Sequence, residues 1–243
     1  CMAVMVLWPM FLWPATHGMP DAFGLTFAAV IALLCADYRF ETLPWPRLLA
    51  IFAATFALIL TRRWYMFWIL AFYAVYVLAV LVGAVRRKTL GSTLKHMLLF
   101  GVPSAVIIVG ALLPTFKTIL TTDYADIYGA YYGGGFGNNC LGQLRTQGLI
   151  WLVLCAAGLV WLLYCRSTRA QAIVAAAASL GAMVLFTRTQ SLGDHQSLIL
   201  APFYLLILFG LCAKLTQQKA KPWLRNAAAG VLAVFLVVNF GNA

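Results

Sequence analysis

The segment HGMPD carries the first two residues that could do acid–base chemistry, His17 and Asp21. A carboxylate held at the edge of an apolar run could take a proton from a substrate hydroxyl or bind a metal ion. A structural alternative also fits, because proline suits the start of a helix and an acidic side chain there meets the positive end of the helix dipole. We therefore treat His17 and Asp21 as candidate catalytic residues at a predicted helix start.

A second polar segment, RTQSLGDHQ, places a cation, a carboxylate and an imidazole in a ten-residue connection between two apolar runs. Arg188 is suited to bidentate phosphate binding, and His195 could donate a further hydrogen bond. Anchoring at the membrane interface is the alternative, although polar groups at membrane depth tend to be functional. The segment thus predicts a substrate-binding site that contains Arg188, Gln190, Asp194 and His195.

A third segment, DYADIYGAYYGGGFG, combines acidic residues with tyrosines and glycines. Asp123 and Asp126 are three residues apart and would share one face of a helix. Rings such as that of Tyr128 can stack on apolar sugar faces, and glycine permits close approach. The segment predicts a saccharide or lipid-headgroup platform, whereas an interfacial aromatic belt would explain the tyrosines without a ligand.

Two adjacent arginines, Arg62 and Arg63, stand between two apolar runs and are followed by Trp64 and Tyr65. As functional residues they would bind an anionic headgroup or a pyrophosphate. As structural residues they would snorkel towards the membrane surface beside interfacial aromatic rings. Both interpretations predict that the arginines lie at the edge of a membrane.

The runs between these segments are too apolar for a soluble fold. Of 243 residues, 64% are hydrophobic and 9% are charged, whereas roughly a quarter are charged in soluble domains. Helices satisfy their own backbone hydrogen bonds in lipid, so we predict an all-α polytopic transmembrane bundle of about nine spans. The predicted spans are 1–14, 22–36, 48–60, 64–85, 97–114, 148–165, 170–187, 198–213 and 226–240.

Charge counting orients the predicted bundle. If all nine runs cross, the connections that include 37–47 and 86–96 place 12 Lys and Arg on one side, against 5 on the other. The positive-inside rule then places the N-terminus inside and the C-terminus outside. Span 48–60 is short enough to be re-entrant instead. In the nine-span arrangement four of the six acidic residues, two of the three histidines and the long loop 115–147 lie outside.

Composition also excludes several function classes. The net charge of +11 is explained by the connections between spans, so we expect no nucleic-acid partner. The six cysteines form no metal-ligand spacing and are interpreted as small buried hydrophobes. Nucleotide-binding loops and hydrolase or zinc-protease motifs do not occur. We expect one transmembrane domain over 1–243, the C-terminal part of a larger membrane protein, with 115–147 as an outer Tyr/Gly-rich loop.

The segment GMPDAFGLTFAAVIALLCADYR resembles one in membrane glycosyltransferases of the C type, the GT-C superfamily that includes protein O-mannosyltransferases and lipid A aminoarabinose transferases. In that family an Asp opens a span that ends near a basic residue, and Asp21 matches it. LLAIFAATFALILTRRWYMFWIL is similar to the next family segment, with Arg62 or Arg63 as its surface cation. RTQSLGDHQSLILAPFYLL resembles a late segment with an Arg-x-Gln, a His and a Pro, matched by Arg188, Gln190, His195 and Pro202.

This resemblance implies that a sugar passes from a polyprenyl-phosphate carrier to an acceptor at the outer face, with inversion and often with a divalent cation such as Mg²⁺ or Mn²⁺. It implies an acidic role for Asp21 and a hold on the carrier phosphate for Arg188 and His195. The partners would be a lipid-linked sugar donor and membrane lipids, in the bacterial inner membrane of the cell envelope. The chain departs from the family because the principal acidic signature of the first outer loop is missing.

Two further hypotheses remain open. A transporter or flippase for a lipid-linked or small substrate would need helices broken near mid-membrane, and Gly101, Pro103 and Gly110 could break one span. A noncatalytic assembly subunit would copurify with a separate catalytic chain. Polar residues concentrated at the ends of the predicted spans favour the enzyme.

Overall fold

The computed structural model describes residues 21–62, 64–121, 135–188 and 196–204, together with a few positions between 206 and 230. Every regular element in these residues is helical, which confirms the predicted all-α class. The predicted span 1–14 lies outside the described residues, as do nearly all of 226–240 and part of 198–213.

Nine α-helices are described, with a π-helical segment and two 3-10 turns between or after them. In chain order they are α1 (Asp21–Leu34), a 3-10 turn (Phe40–Thr42), α2 (Trp45–Thr61), α3 (Tyr65–Arg87), α4 (Leu90–His96), the π segment (Met97–Gly101), α5 (Val102–Ala111), α6 (Leu113–Thr121), α7 (Gly135–Gln147), α8 (Leu149–Tyr164), α9 (Arg169–Thr187) and a second 3-10 turn (Gln196–Leu200).

Three of the described helices are long and apolar enough to cross a membrane: α3, the continuous helix Leu90–Ala111, and α9. Helices α1 and α2 are apolar but shorter. Helices α7 and α8 are bent by 105° relative to each other, and they give a fourth span only if the bent pair is counted as one. The predicted runs 64–85 and 170–187 coincide closely with α3 and α9. The helix that contains the predicted run 97–114 begins earlier, at Leu90, because α4 continues into it without a break.

Small side chains pack α9 against α3 at the centre of the bundle. Ala172, Ala175, Ala178 and Ala182 of α9 are buried, and a Cβ added at Gly181 would stand 3.2 Å from the Cβ of Ala71 in α3. Apolar burial drives helices together weakly in lipid, so close packing of small residues has to hold them. This pairing aligns the start of α3 with the end of α9.

One end of the bundle is organised by Glu41, in the turn between α1 and α2. Its carboxylate accepts hydrogen bonds from Arg87 at 3.2 Å, Thr89 at 3.1 Å and Thr93 at 3.0 Å. Lys88 adopts a left-handed conformation (φ 60°), which ends α3 and allows the chain to turn into α4. The connections 37–47 and 86–96, grouped on one side by charge counting, therefore contact each other.

The first prediction concerns Glu41. Burial raises the pKa of its carboxyl group, but hydrogen bonds from its own backbone, Thr93, Thr89 and Arg87 outweigh burial and bring the pKa below its ordinary value. A carboxylate with a lowered pKa stabilises the fold above its ordinary pKa of about 4.3, and this contribution disappears as pH falls through the folded-state pKa. Glu41→Gln should therefore lower the free energy of unfolding at pH 7 by about 1–3 kcal/mol.

Thermal unfolding in detergent from neutral to acidic pH measures this effect. Wild type and Glu41→Gln should converge as the pH falls below the ordinary carboxyl pKa. Asp37→Asn, which changes a carboxylate in the same connection, serves as the matched control. A gap between wild type and Glu41→Gln that is the same at every pH would show that the carboxylate charge does not contribute.

Candidate functional site

The opposite end of the bundle contains a buried ion pair between Asp21 and Arg62. Asp21 is the first described residue of α1, and its side chain is 2% exposed. Arg62 directly follows α2, is 27% exposed, and donates from Nε to Asp21 Oδ1 at 3.1 Å. Residues 41 positions apart in the sequence therefore form one charged contact at the ends of two helices.

The second carboxylate oxygen of Asp21 is buried, and among the described residues it has no hydrogen-bond partner. A buried polar atom without a partner is costly and is often explained by a catalytic role or by a ligand that completes the site. Asp21 Oδ2 is thus a buried acceptor without a partner in the described part of the chain, while Oδ1 accepts from Arg62 Nε. It could take a hydrogen bond or a proton from a hydroxyl group.

Tyr65, the first residue of α3, connects its own helix with two other elements next to this ion pair. Its side chain is fully buried, and its hydroxyl lies 3.1 Å from the backbone carbonyl of Asp21 and 3.4 Å from that of Leu198. Gly24 makes room for the ring, because a Cβ at that position would lie 2.8 Å from Tyr65 Cδ2. The hydroxyl therefore connects the start of α1 with the 3-10 turn Gln196–Leu200.

The end of α9 reaches the same region through an aromatic contact. The Phe186 ring is fully buried and packs against Trp64 and Phe67, with centroid distances of 5.7 and 5.5 Å. Arg188 follows two residues later and is exposed. Arg188 is thus at the end of the bundle that carries Asp21 and Arg62, which we call the Asp21 end.

Helix α7 also packs on the Asp21 end. Asn139 Nδ2 donates to Thr187 Oγ1 at 2.9 Å, and this hydroxyl donates to the Met183 carbonyl at 2.6 Å. The final part of the predicted loop 115–147 is therefore a helix docked on α9, immediately before Arg188.

Of the predicted site residues, the structure describes Asp21, Arg62 and Arg188 and brings all three to one end of the bundle. The others lie outside the described residues: His17, Arg63, Asp123, Asp126, Tyr128, Gln190, Asp194 and His195. The sequence predicts Tyr65 only as one of several interfacial aromatic residues. Its position two residues after Arg63 is the sequence signal that could have placed it in the site.

Metal ligands are sparse in the part of the chain that the structure describes. Within it, no group of three His, Cys, Asp or Glu could hold a metal ion, and Asp21 offers one carboxylate. Structural cation sites usually need several oxygen ligands from the protein. The described residues alone do not form the cation site that the resemblance implies.

An apolar cleft of about 300 Å³ lies between the middle parts of α8 and α9 and the segment that follows Leu198. Helices α8 and α9 form its walls through residues such as Cys155, Leu159 and Met183, and Leu200 and Tyr204 close its third side. Leu200 belongs to the same 3-10 turn as Leu198, which Tyr65 contacts. The cleft is therefore connected to Asp21 through this turn and the Tyr65 hydroxyl.

Comparison of the chain with protein-family models, with curated proteins and with solved structures gives no match. The functional inference therefore rests on the chemistry of Asp21, Arg62 and their neighbours.

The second prediction tests whether Arg62 compensates the buried charge. Arg62→Gln leaves a carboxylate in an apolar environment without its cation, and should lower the free energy of unfolding by about 3 kcal/mol. Asp21→Asn removes the charge itself, so the double variant Arg62→Gln/Asp21→Asn should recover most of that loss. A double-mutant cycle of unfolding in detergent measures the coupling. Arg86→Gln, an exposed arginine at the other end, is the control, and an equal effect of the two arginine changes would contradict the prediction.

The third prediction concerns the space that Gly24 leaves for Tyr65. Gly24→Ala should displace the Tyr65 ring and destabilise the fold by about 1–3 kcal/mol through overpacking. Gly110→Ala is the matched control, because a Cβ at Gly110 meets nothing within 4 Å. Comparable melting temperatures for the two alanine variants would show that the contact with Tyr65 is not tight.

Proposed function

We propose that this protein is a membrane glycosyltransferase that moves a sugar from a lipid-phosphate carrier of the polyprenyl-phosphate type to an acceptor hydroxyl at the outer face of a membrane. The observation that carries the proposal is the buried carboxylate of Asp21, with one oxygen held by Arg62 and the other without a partner among the described residues. Such a carboxylate is fixed in position and has an acceptor atom that a substrate hydroxyl could engage. This is what a general base at a membrane surface requires.

In the proposed reaction the acceptor hydroxyl oxygen attacks the anomeric carbon of the sugar. A new C–O bond forms as the bond from the anomeric carbon to the carrier phosphate breaks, and the bonding electron pair leaves with the phosphate. Asp21 Oδ2 takes the hydroxyl proton. Attack opposite the leaving group inverts the anomeric centre.

The negative charge that develops on the leaving phosphate needs cations. Arg188 is exposed at the end of α9, and a guanidinium can hold a phosphate through two parallel hydrogen bonds. Arg62 contacts Asp21 through Nε and has further N–H donors on its partly exposed guanidinium. We assign the carrier phosphate to Arg188, with Arg62 as a positioning residue that holds the base.

The neighbouring cleft suits the hydrocarbon part of such a carrier. It is lined mainly by apolar side chains from α8, α9 and the segment after Leu198, and it lies beside the helices that end at Arg188. Apolar clefts with a few polar groups at one end are the usual shape of ligand sites. A carrier whose hydrocarbon chain lies in the cleft and whose head points towards Arg188 would have its phosphate near the end of α9.

The transporter alternative predicts broken helices around a polar site near mid-membrane. The π segment Met97–Gly101 is such an irregularity. However, it belongs to the helix Leu90–Ala111, whose most apolar 18-residue window has no buried residue. Among the described residues, the irregular turn is therefore not packed against other helices, whereas Asp21 is buried beside a cation, which is why we favour the enzyme.

The three apolar helices are compatible with an integral membrane protein, and we propose the bacterial inner membrane as its location. There a lipid-linked donor could enter the cleft from the side. Acceptors for the cell envelope would approach from the outer face.

The fourth prediction tests catalysis with the full-length protein in liposomes and a panel of polyprenyl-phosphate-linked sugars. Asp21→Asn should lower turnover by about 10²–10⁴-fold, the usual contribution of a general base. Arg188→Gln should weaken use of the carrier, seen as a higher KM. Asp37→Asn and Arg86→Gln make the same chemical changes at the Glu41 end and should leave turnover unchanged.

Unchanged turnover in both Asp21→Asn and Arg188→Gln would overturn the site assignment. Counterflow of the carrier without any glycosylated product would favour the transporter. Gel filtration of each variant checks that the loss of activity is not a loss of fold.

A further inference from the structure

Helix α7 has an inverted distribution of polar and apolar side chains. Its buried residues include three amides, Asn139, Gln143 and Gln147, each 4% exposed or less. Its exposed residues include Leu141 at 52% and Leu144 at 39%. A helix on a water-soluble surface would show the opposite pattern, with apolar residues inward and amides outward.

The side chains divide the helix into three faces rather than two. At roughly 100° per residue, with Asn139 as the origin, the buried amides extend to about 80°. Cys140, Leu144 and Leu141, all exposed, occupy the next sector, from about 100° to about 200°. Exposed Asn138 and Arg145 follow near about 250°. From Asn138 to Gln147, α7 thus has a protein-facing amide side, an apolar side and a polar side, in that order, whereas Phe136 in the first turn is exposed at about 60°.

The bend between α7 and α8 fits this order. The two helices are inclined at 105° across Gly148, whose φ of 80° suits glycine. Exposed apolar residues continue from α7 onto α8 at Leu149, Ile150 and Val153. If α8 runs along the membrane normal, α7 lies nearly parallel to the membrane plane, with its apolar side continuous with the lipid-facing side of α8.

We infer that α7 is an interfacial helix whose Cys140–Leu144 side rests on the hydrocarbon of one membrane leaflet while Asn138 and Arg145 face the headgroups and water. The partner of this surface is lipid, because the three sides match the three surroundings that a helix meets when it lies flat at the bilayer interface against a membrane protein. The inference is independent of the proposed enzymatic activity.

This position fixes the depth of the residues that α7 contacts. Asn139 donates to Thr187 at the end of α9, so an interfacial α7 places Thr187 at the membrane surface. Arg188, the next residue, then lies at the level of lipid headgroups.

Nitroxide accessibility in liposomes tests the inference. The label is attached to native Cys140 in a variant whose other five cysteines are alanine, and collisions with oxygen, which enters hydrocarbon, are compared with collisions with a polar nickel chelate. Asn138→Cys combined with Cys140→Ala is the matched control on the polar side. Oxygen should dominate at position 140 and the nickel chelate at position 138, each several-fold.

Two outcomes would overturn the inference. Equal nickel access at positions 138 and 140 would place both sides of α7 in water. Exclusion of both reagents at position 140 would show that protein covers it, either a second copy or another chain.

A second measurement uses the wild-type chain and does not depend on the cysteine substitutions. Liposomes that contain a lipid with a diazirine in its acyl chain are irradiated, and the tryptic peptide 118–145, in which Cys140 is the sole cysteine, is analysed. Carbene adducts on Cys140–Leu144 support the inference. Their absence, when Val153 of α8 does carry adducts, overturns it.

Discussion

The buried contact between Asp21 and Arg62 is the interaction on which the Asp21 end of the bundle depends. Burying a carboxylate that is 2% exposed is costly in an apolar protein unless a cation lies at hydrogen-bond distance. Arg62 provides that cation because α2 ends directly before it, and α1 begins at Asp21 itself. The ion pair thus forms only where the ends of these two helices meet. Tyr65 holds the start of α3 at the same place through its hydrogen bond to the Asp21 carbonyl.

The rest of the fold makes this meeting possible. Small residues on α9 let it approach α3 closely, so that Phe186 reaches Trp64. The first and last residues of α3, Tyr65 and Arg87, are 22 positions apart and therefore about 33 Å apart along the helix. Polar contacts are concentrated at both ends of this length, around Glu41 and around Asp21. The aromatic and small residues between them act mainly as spacers that hold the two ends in register.

The sequence alone predicted the parts of this arrangement that depend on local chemistry. Asp21 as a helix start follows from proline and charge at the helix dipole, and α3 and α9 follow from long apolar runs. The contact of Tyr65 with Asp21 and Leu198 was not predictable, because it joins residues 44 and 133 positions apart. The helical start of Leu90–Ala111 was missed because α4 is too polar for a hydropathy pattern, although the Glu41 hydrogen bonds hold its first turns in place.

The same reasoning explains why α7 was not recognised as a helix within the segment 115–147. Apolar periodicity indicates which side of a helix faces the core of a soluble protein, but the buried side of α7 consists of amides. In a membrane protein the apolar side of a helix can face lipid while hydrogen bonds hold its polar side against neighbouring helices. Asn139 and Thr187 make such a bond. For the proposed lipid-carried substrate, this geometry would have a chemical consequence. The cation that receives the phosphate has to lie at headgroup depth, and an interfacial α7 would set the depth of Arg188 through its bond to α9.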